Sequence, residues 1–104
     1  MDDIKKEILM FQKERDWKKF HTPENLAKSI SIEAAELLEH CQWQKEYDEN
    51  EVAEELADVL IYCLYMADAM DFDVKEIILN KMGKNALKYP VDKSKGNAKK
   101  YTEL

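Results

Sequence analysis

The sequence predicts an all-α protein, a four-helix bundle, in one domain over residues 1–104. Three observations favour this fold class. The chain contains only two glycines and two prolines, too few for the many turns of an all-β fold. Apolar residues recur at helical spacing in several segments. Three of the four predicted helices begin at residues that suit a helix N-terminus.

The first two helices are predicted over residues 2–15 and 23–43. The apolar repeat of the first consists of Ile4, Ile8 and Phe11. The second helix has a clear start, because Thr22 suits the N-cap position and Pro23 suits the first helical position. Its apolar stripe consists of Leu26, Ile30, Ala34, Leu37 and Cys41.

A polar linker over residues 44–50 is predicted to lead into a third helix over residues 51–70. The middle of this helix, residues 59–67, is apolar nearly all round. Such a helix is covered by protein on every side. In a chain of this size the natural cover is another subunit, so we expect a homo-oligomer.

The fourth helix is predicted over residues 74–88, with Asp73 as its N-cap and Pro90 after its end. The Lys-rich tail over residues 90–104 is expected to be extended or partly ordered. Charge is unevenly distributed: residues 33–58 contain ten acids and one lysine, whereas residues 88–100 contain five lysines and one acid. An acidic centre suits cations, and a basic tail suits phosphate.

Composition limits the compartment and the partners. The formal net charge of -6 argues against a nucleic acid polymer or an anionic membrane as partner. Cys41 and Cys63 form no CxxC motif and fit buried apolar positions in a reducing compartment. The first residues lack an apolar signal segment, and the longest apolar run is too short to span a bilayer. We therefore expect a cytoplasmic protein.

Two pairs of acids are the candidate metal ligands and catalytic residues: Glu33 with Glu36, and Glu55 with Asp58. Each pair is three residues apart, which places both side chains on one helix face. The short linker makes these helices antiparallel neighbours, and the two pairs then lie at nearly the same level. Four converging carboxylates need a counter-charge, and hard oxygen ligands suit Mg²⁺ or Mn²⁺. Spacing alone favours a solvated acidic face over a metal site, but apolar residues surround both pairs and neither has a nearby Lys or Arg on its helix.

Other helical hydrolase and metal sites do not fit the sequence. Di-iron bundles use Glu-x-x-His pairs, but Leu37 precedes His40 at that spacing and Lys18 precedes His21. A P-loop is excluded because the chain has no Gly-rich phosphate-binding motif. No Ser-His-Asp or Cys-His set stands out.

Five segments carry a resemblance to the MazG-like nucleotide pyrophosphohydrolases. The two central ones are SIEAAELLEH over residues 31–40 and EELADVLIY over residues 54–62. Residues 15–26, 81–85 and 88–96 also match. The chain looks most like the short, single-domain, dCTP pyrophosphatase-like branch, and the resemblance covers nearly its whole length.

The resemblance implies an all-α fold, Mg²⁺ dependence and a homo-oligomer, either a dimer or a tetramer. It implies that a (deoxy)nucleoside triphosphate is cleaved between the α and β phosphates to a monophosphate and pyrophosphate. A pyrimidine substrate such as dCTP or a modified form is expected, with a role in cleaning the nucleotide pool. Ile32 stands where many members have a further acid, which leaves the number of metal ions open.

Roles follow as hypotheses from the residues and the resemblance together. Glu33, Glu36, Glu55 and Asp58 hold the metal, and one of the glutamates orients the water that attacks the α-phosphorus. The candidates for the base pocket are the flat rings of Trp17, His21 and Trp43. The candidates for sugar or phosphate contacts are Tyr62, Lys81, Asn85, Lys93 and Lys95.

Two alternatives remain at this level. One is another all-α nucleotide hydrolase with the same metal chemistry, of a dUTPase-like or phosphoribosyl-ATP pyrophosphohydrolase-like kind. The other is a non-catalytic helical interaction module, which would not depend on Mg²⁺ and would tolerate substitution of the four acids.

Overall fold

A computed structural model describes residues 1–43 and 46–104 of the chain. This part is helical and contains no strand, which confirms the predicted all-α class. The long helices are α1 (Asp2–Glu14), α2 (Pro23–Gln42), α3 (Glu49–Ala69) and α4 (Val74–Lys88). The first two residues of the predicted linker, Gln44 and Lys45, lie outside the described residues. Within the described ranges, no helix has the length and apolar character needed to cross a membrane.

The end of α1 is a tight turn that positions the residue after it. The N–H of Trp17 donates to the carbonyl of Gln12, and the N–H of Asp16 donates to the carbonyl of Lys13, both at 3.1 Å. These two bonds form a Schellman motif. Asp16 has a left-handed backbone with φ 52°, a conformation that Asp adopts more readily than most residues other than glycine. The turn fixes Trp17 directly beside the helix end.

Helix starts follow the capping residues. As predicted, Thr22 caps α2, and its Oγ1 accepts a hydrogen bond from the N–H of Asn25 at 3.3 Å. The predicted start of α3 at residue 51 was two residues late. Asp48 is the N-cap, because its carboxylate accepts hydrogen bonds from the N–H groups of Asn50 at 2.9 Å and Glu51 at 3.3 Å.

Helices α2 and α3 pack against each other as an antiparallel pair. His40, near the end of α2, has its Nδ1 3.4 Å from Oε2 of Glu51, near the start of α3. Glu33, two turns earlier in α2, lies beside Glu55 and Asp58, farther along α3. The prediction that the two acidic pairs lie at nearly the same level along their helices is therefore confirmed for these three acids.

Helix α1 packs on the other end of α3. The hydroxyl of Tyr65 donates to the carbonyl of Ile8 at 2.8 Å and joins the two helices. Leu26 is fully buried, with 0% of its surface exposed. Within the single chain the core is small, because several large apolar side chains of α2 and α3 stay exposed: Ile32, Leu38, Leu56 and Leu60.

The described residues fall into two compact units, Met1–Asp71 and Phe72–Leu104. In the second unit Asp73 caps α4 as predicted, accepting a hydrogen bond from the N–H of Glu76 at 2.9 Å. The tail is more ordered than a purely extended one. It contains a one-turn helix α5 (Val91–Ser94) and a 3₁₀ turn (Tyr101–Glu103). Lys88 Nζ lies 4.7 Å from the centre of the Tyr101 ring, an attractive cation–π distance.

Candidate active site

Three of the four predicted metal ligands converge between α2 and α3. Carboxylate oxygens of Glu33, Glu55 and Asp58 all lie within 4.8 Å of one another. Glu33 and Glu55 are half-buried, whereas Asp58 is exposed at the edge of the cluster. Helical spacing aims Glu55 and Asp58 to the same side of α3, and the antiparallel neighbour places Glu33 opposite them.

The cluster is electrostatically strained without a cation. Burial raises the pKa of Glu33 from its ordinary value of 4.5 to about 7, with smaller contributions from hydrogen bonds to Glu55 and Glu36 and from their negative charges. Oε2 of Glu33 and Oε2 of Glu55 are both buried, and neither has a hydrogen-bond partner among the described residues. Buried carboxylate oxygens without a partner are costly, and a bound cation would remove that cost.

Glu36, the fourth predicted ligand, lies beside the group of three and is half-buried. It is close enough to Glu33 to help raise the pKa of that carboxyl. His40, one turn farther along α2, lies next to Glu55 of the cluster. Its Nε2 lies 3.7 Å from Oε1 of Glu55.

The donor set fits a hard divalent cation. All the converging groups are carboxylates, the oxygen ligands that Mg²⁺, Mn²⁺ and Ca²⁺ prefer. Over residues 1–43 and 46–104, the group of converging ligand atoms consists of the carboxylates of Glu33, Glu55 and Asp58 alone, a composition that favours a hard cation over zinc or a di-iron centre. The two buried oxygens without partners supply an independent reason for a cation at this point.

An open pocket of about 420 Å³ adjoins the cluster. Asp58 belongs to both, because it is one of the converging acids and also lines the pocket. The other walls come from α1, the turn after it, and α3. The aromatic and histidine rings that line it are Phe11, Trp17, His21, Tyr62 and Tyr65.

The rings of the pocket pack against one another, His21 with Tyr65 at a tilt of 34° and His21 with Tyr62 edge to face. The ring centres of His21 and Tyr65 lie 5.0 Å apart, and those of His21 and Tyr62 lie 6.3 Å apart. Burial raises the pKa of Tyr62, and the charges of Glu33 and Asp58 add to the effect. Tyr62, one turn after Asp58 on the same face of α3, therefore borders both the aromatic pocket and the acids.

Sequence reasoning missed the contribution of α1 to this pocket. Ile8 and Phe11 were recognised as helix-face residues but not as pocket walls. Gln12 was not singled out, although it is buried, with 4% of its surface exposed, and its amide nitrogen lies 2.7 Å from Nδ1 of His21. Gln12 follows Ile8 by four residues and therefore lies on the same face of α1. This spacing could have indicated that Gln12 is buried near the pocket.

The other predicted site residues do not meet in this pocket. Trp43 follows α2 with 85% of its surface exposed and does not line the pocket of the described chain. Lys81 and Asn85 are exposed on one face of α4, and Lys93 and Lys95 are exposed in and after α5. Their roles in substrate binding stay predictions.

Comparison with known proteins gives consistent matches. The sequence model of the MazG-like family matches residues 28–104. The chain is 37% identical over 114 residues to dCTP pyrophosphatase 1 of Mus musculus and 34% identical over 114 residues to that of Homo sapiens. In both cases the alignment covers all of this chain and 67% of the relative. The crystal structure of a pyrophosphatase from Archaeoglobus fulgidus superimposes with a TM-score of 0.79 at 45% identity, covering 86% of this chain and 92% of that one.

Proposed function

We propose that this protein hydrolyses a pyrimidine deoxynucleoside triphosphate. The premise is that the chain belongs to the MazG-like family and is a nucleoside triphosphate pyrophosphatase. The expected substrate is dCTP or a modified form of it, and the products are the monophosphate and pyrophosphate. The reaction depends on Mg²⁺, with Mn²⁺ as a substitute. The role is to remove unwanted nucleotides from the cytoplasmic pool.

The observation that carries this proposal is that Asp58 belongs both to the acid cluster and to the aromatic pocket. A nucleoside triphosphate has the same two-part character, because an anionic triphosphate is joined through the sugar to a flat base. The acids alone would repel the triphosphate. A divalent cation held by Glu33, Glu36, Glu55 and Asp58 would neutralise phosphate oxygens and polarise the attacking water.

The chain's own residues supply the positioning. The cluster fixes the phosphate end, and one of its glutamates orients the water in line with the α-phosphorus. The ring of Trp17 buries a face of the base, His21 lines the pocket beside it, and the Tyr62 hydroxyl faces the sugar or phosphate. The pocket volume lies in the range of small-molecule sites. The names of the relatives at 37% and 34% identity, dCTP pyrophosphatase 1, support cytosine as the base.

The active form is proposed to be a homo-oligomer, a dimer or a tetramer. The support is the large apolar side chains that α2 and α3 leave exposed, which would be covered by another subunit: Ile32, Leu38, Leu56 and Leu60. In this form Trp43 contacts the base, and Lys81, Asn85, Lys93 and Lys95 contact phosphate or sugar. Sedimentation at micromolar concentration tests the assembly, and a strictly monomeric species would contradict it.

Product analysis tests the reaction. The purified protein is incubated with each common NTP and dNTP, with Mg²⁺ and with EDTA, and the products are separated. We expect dCMP and pyrophosphate from dCTP, only with Mg²⁺. A diphosphate with inorganic phosphate would contradict the reaction. Faster hydrolysis of dUTP would favour the dUTPase-like alternative, and faster hydrolysis of purine nucleotides would contradict the pyrimidine preference.

A matched pair of variants tests the acids. Glu55→Gln removes a carboxylate of the cluster, whereas Glu54→Gln removes the charge of its exposed neighbour. We expect kcat to fall about 100-fold or more in Glu55→Gln, because the negative transition state loses its counter-charge. Glu54→Gln is expected to keep nearly the full rate. Similar rates in the two folded variants would overturn the assignment of the cluster.

A further inference from the structure

Gln12 is a buried polar side chain in a region that otherwise packs apolar and aromatic groups. It lies in α1 between the pocket residues Ile8 and Phe11 and the helix end, with 4% of its surface exposed. Its amide nitrogen lies 2.7 Å from Nδ1 of His21. A buried polar group is retained at low cost only when it is hydrogen-bonded, and His21 supplies that bond.

This contact fixes the protonation pattern of the His21 ring. The amide nitrogen of glutamine is a donor only, so Nδ1 of His21 accepts the hydrogen bond. A neutral imidazole carries its proton on the nitrogen that does not accept, here Nε2. Burial lowers the pKa of His21, so the neutral ring is the relevant form at neutral pH.

The same contact orients the ring. Nδ1 and Nε2 of an imidazole are both bonded to the same ring carbon, but their N–H or lone-pair directions diverge widely, so Nε2 points away from the buried amide. His21 lines the pocket, whereas Gln12 does not. With Nδ1 engaged by Gln12, Nε2 is the ring nitrogen left for a molecule in the pocket.

We propose that Gln12 is a positioning residue for base recognition. By donating to Nδ1 of His21, it keeps the proton on Nε2 and presents that N–H to the pocket as a fixed hydrogen-bond donor. This inference rests on the proposed function, because it takes the base of the substrate as the occupant of the pocket. The recognised group is a hydrogen-bond acceptor on the base edge, a carbonyl oxygen or an unprotonated ring nitrogen.

Pyrimidine edges offer such acceptors. Cytosine presents its O2 and N3 side by side, so one fixed donor can satisfy either of them. A histidine free to exchange its proton between the two nitrogens would present a donor for part of the time and an acceptor for the rest. Fixing the donor favours the acceptor edge of the base over its amino group, because a mismatched pair leaves polar groups unpaired.

Gln12→Met tests the proposal, because methionine has a similar length and donates no hydrogen bond. Long-range ¹H–¹⁵N spectra of the nucleotide-free protein at pH 8 report the position of the ring proton. We expect a single tautomer with the proton on Nε2 of His21 in the wild type, and a mixture in Gln12→Met. A wild-type ring protonated on Nδ1 would overturn the proposal.

Steady-state kinetics with dCTP provide the second measurement. We expect KM to rise about 5-fold in Gln12→Met, the equivalent of one hydrogen bond, with kcat nearly unchanged. In a His21→Ala background the same substitution should leave KM unchanged, because the residue through which Gln12 acts is gone. Lys13→Met, at the exposed next position of α1, is the matched control and should keep the wild-type KM.

The outcomes separate this inference from the proposed function. Hydrolysis of dCTP with the same KM in the wild type and in Gln12→Met overturns the inference alone. An equal rise of KM with and without His21 also overturns it, because Gln12 then acts through packing. A folded wild-type protein that hydrolyses no nucleotide overturns the proposed function, and the base contact fails with it.

Discussion

The hydroxyl of Tyr65 in α3 donates a hydrogen bond to the carbonyl of Ile8 in α1 at 2.8 Å. The two residues are 57 positions apart, and both line the aromatic pocket. This bond joins the two walls of the pocket directly. It couples the packing of α1, and with it the positions of Gln12 and Trp17, to the helix that carries Glu55 and Asp58.

Tyr65→Phe removes this bond and keeps the ring. Because the carbonyl of Ile8 loses a buried donor, we expect a destabilisation of about 1 kcal/mol, measured by urea unfolding. Tyr47→Phe is the control, since the Tyr47 side chain is exposed and loss of its hydroxyl should leave the midpoint unchanged. Equal midpoints for Tyr65→Phe and the wild type would show that the bond contributes nothing to folding.

Leu26→Ala should be far more damaging. Leu26 has 0% of its surface exposed, and truncation of a fully buried leucine leaves a cavity that costs about 2–5 kcal/mol. Leu87→Ala, on a side chain that is 86% exposed in α4, removes the same atoms and should cost much less. Similar unfolding free energies for the two variants would contradict the burial of Leu26 in the folded chain.

The long helices could be predicted because their signals are local. Thr22 and Asp73 cap their helices through side-chain bonds to backbone N–H groups, and such bonds depend on neighbouring residues only. Asp48 is the same kind of signal, but it stood inside a polar linker full of acids and was overlooked. That Glu33 lies at the same level as Glu55 and Asp58 could be predicted from the rise per residue of two antiparallel helices.

The pocket could be predicted only in part. His21, Tyr62 and Trp17 were predicted to contact the substrate, and all three line the pocket; the substrate contacts themselves stay predictions. The role of Gln12 depends on the tight turn at Asp16, which brings the segment after α1 back against that helix. A turn with a left-handed Asp is set by tertiary packing as well as by sequence, so the pairing of Gln12 with His21 was not visible in the spacing.

Tryptophan fluorescence can locate the base. Trp17 lines the pocket, whereas Trp43 is 85% exposed, so Trp43→Phe leaves one reporter at the pocket. We expect a non-hydrolysable α,β-imido-dCTP with Mg²⁺ to change the emission of Trp43→Phe strongly, because the base stacks near the indole. An unchanged spectrum under conditions of proven binding would contradict the base position. If the same analogue also changes the emission of Trp17→Phe, whose remaining tryptophan is Trp43, assembly brings Trp43 to the substrate.

The raised pKa of Glu33 predicts how the metal-free protein responds to pH. In the folded state the pKa of Glu33 is about 7, compared with an ordinary value of 4.5. The protonated carboxyl thus favours the folded state: its contribution is fully present below pH 4.5 and is lost as pH rises through 7. In EDTA, the melting temperature of the wild type should therefore fall between pH 5 and pH 8 relative to that of Glu33→Gln, which carries no titrating group there.

Magnesium should reverse this loss, because the cation binds the deprotonated cluster in the folded state only. Added Mg²⁺ is expected to raise the wild-type melting temperature more at pH 8 than at pH 5.5, where protons compete for the same oxygens. Glu39→Gln, at an exposed position on the same helix, should follow the wild type at both pH values. If Mg²⁺ stabilises the wild type and Glu33→Gln equally at pH 8, Glu33 is not a ligand and the raised pKa reflects crowded acids alone.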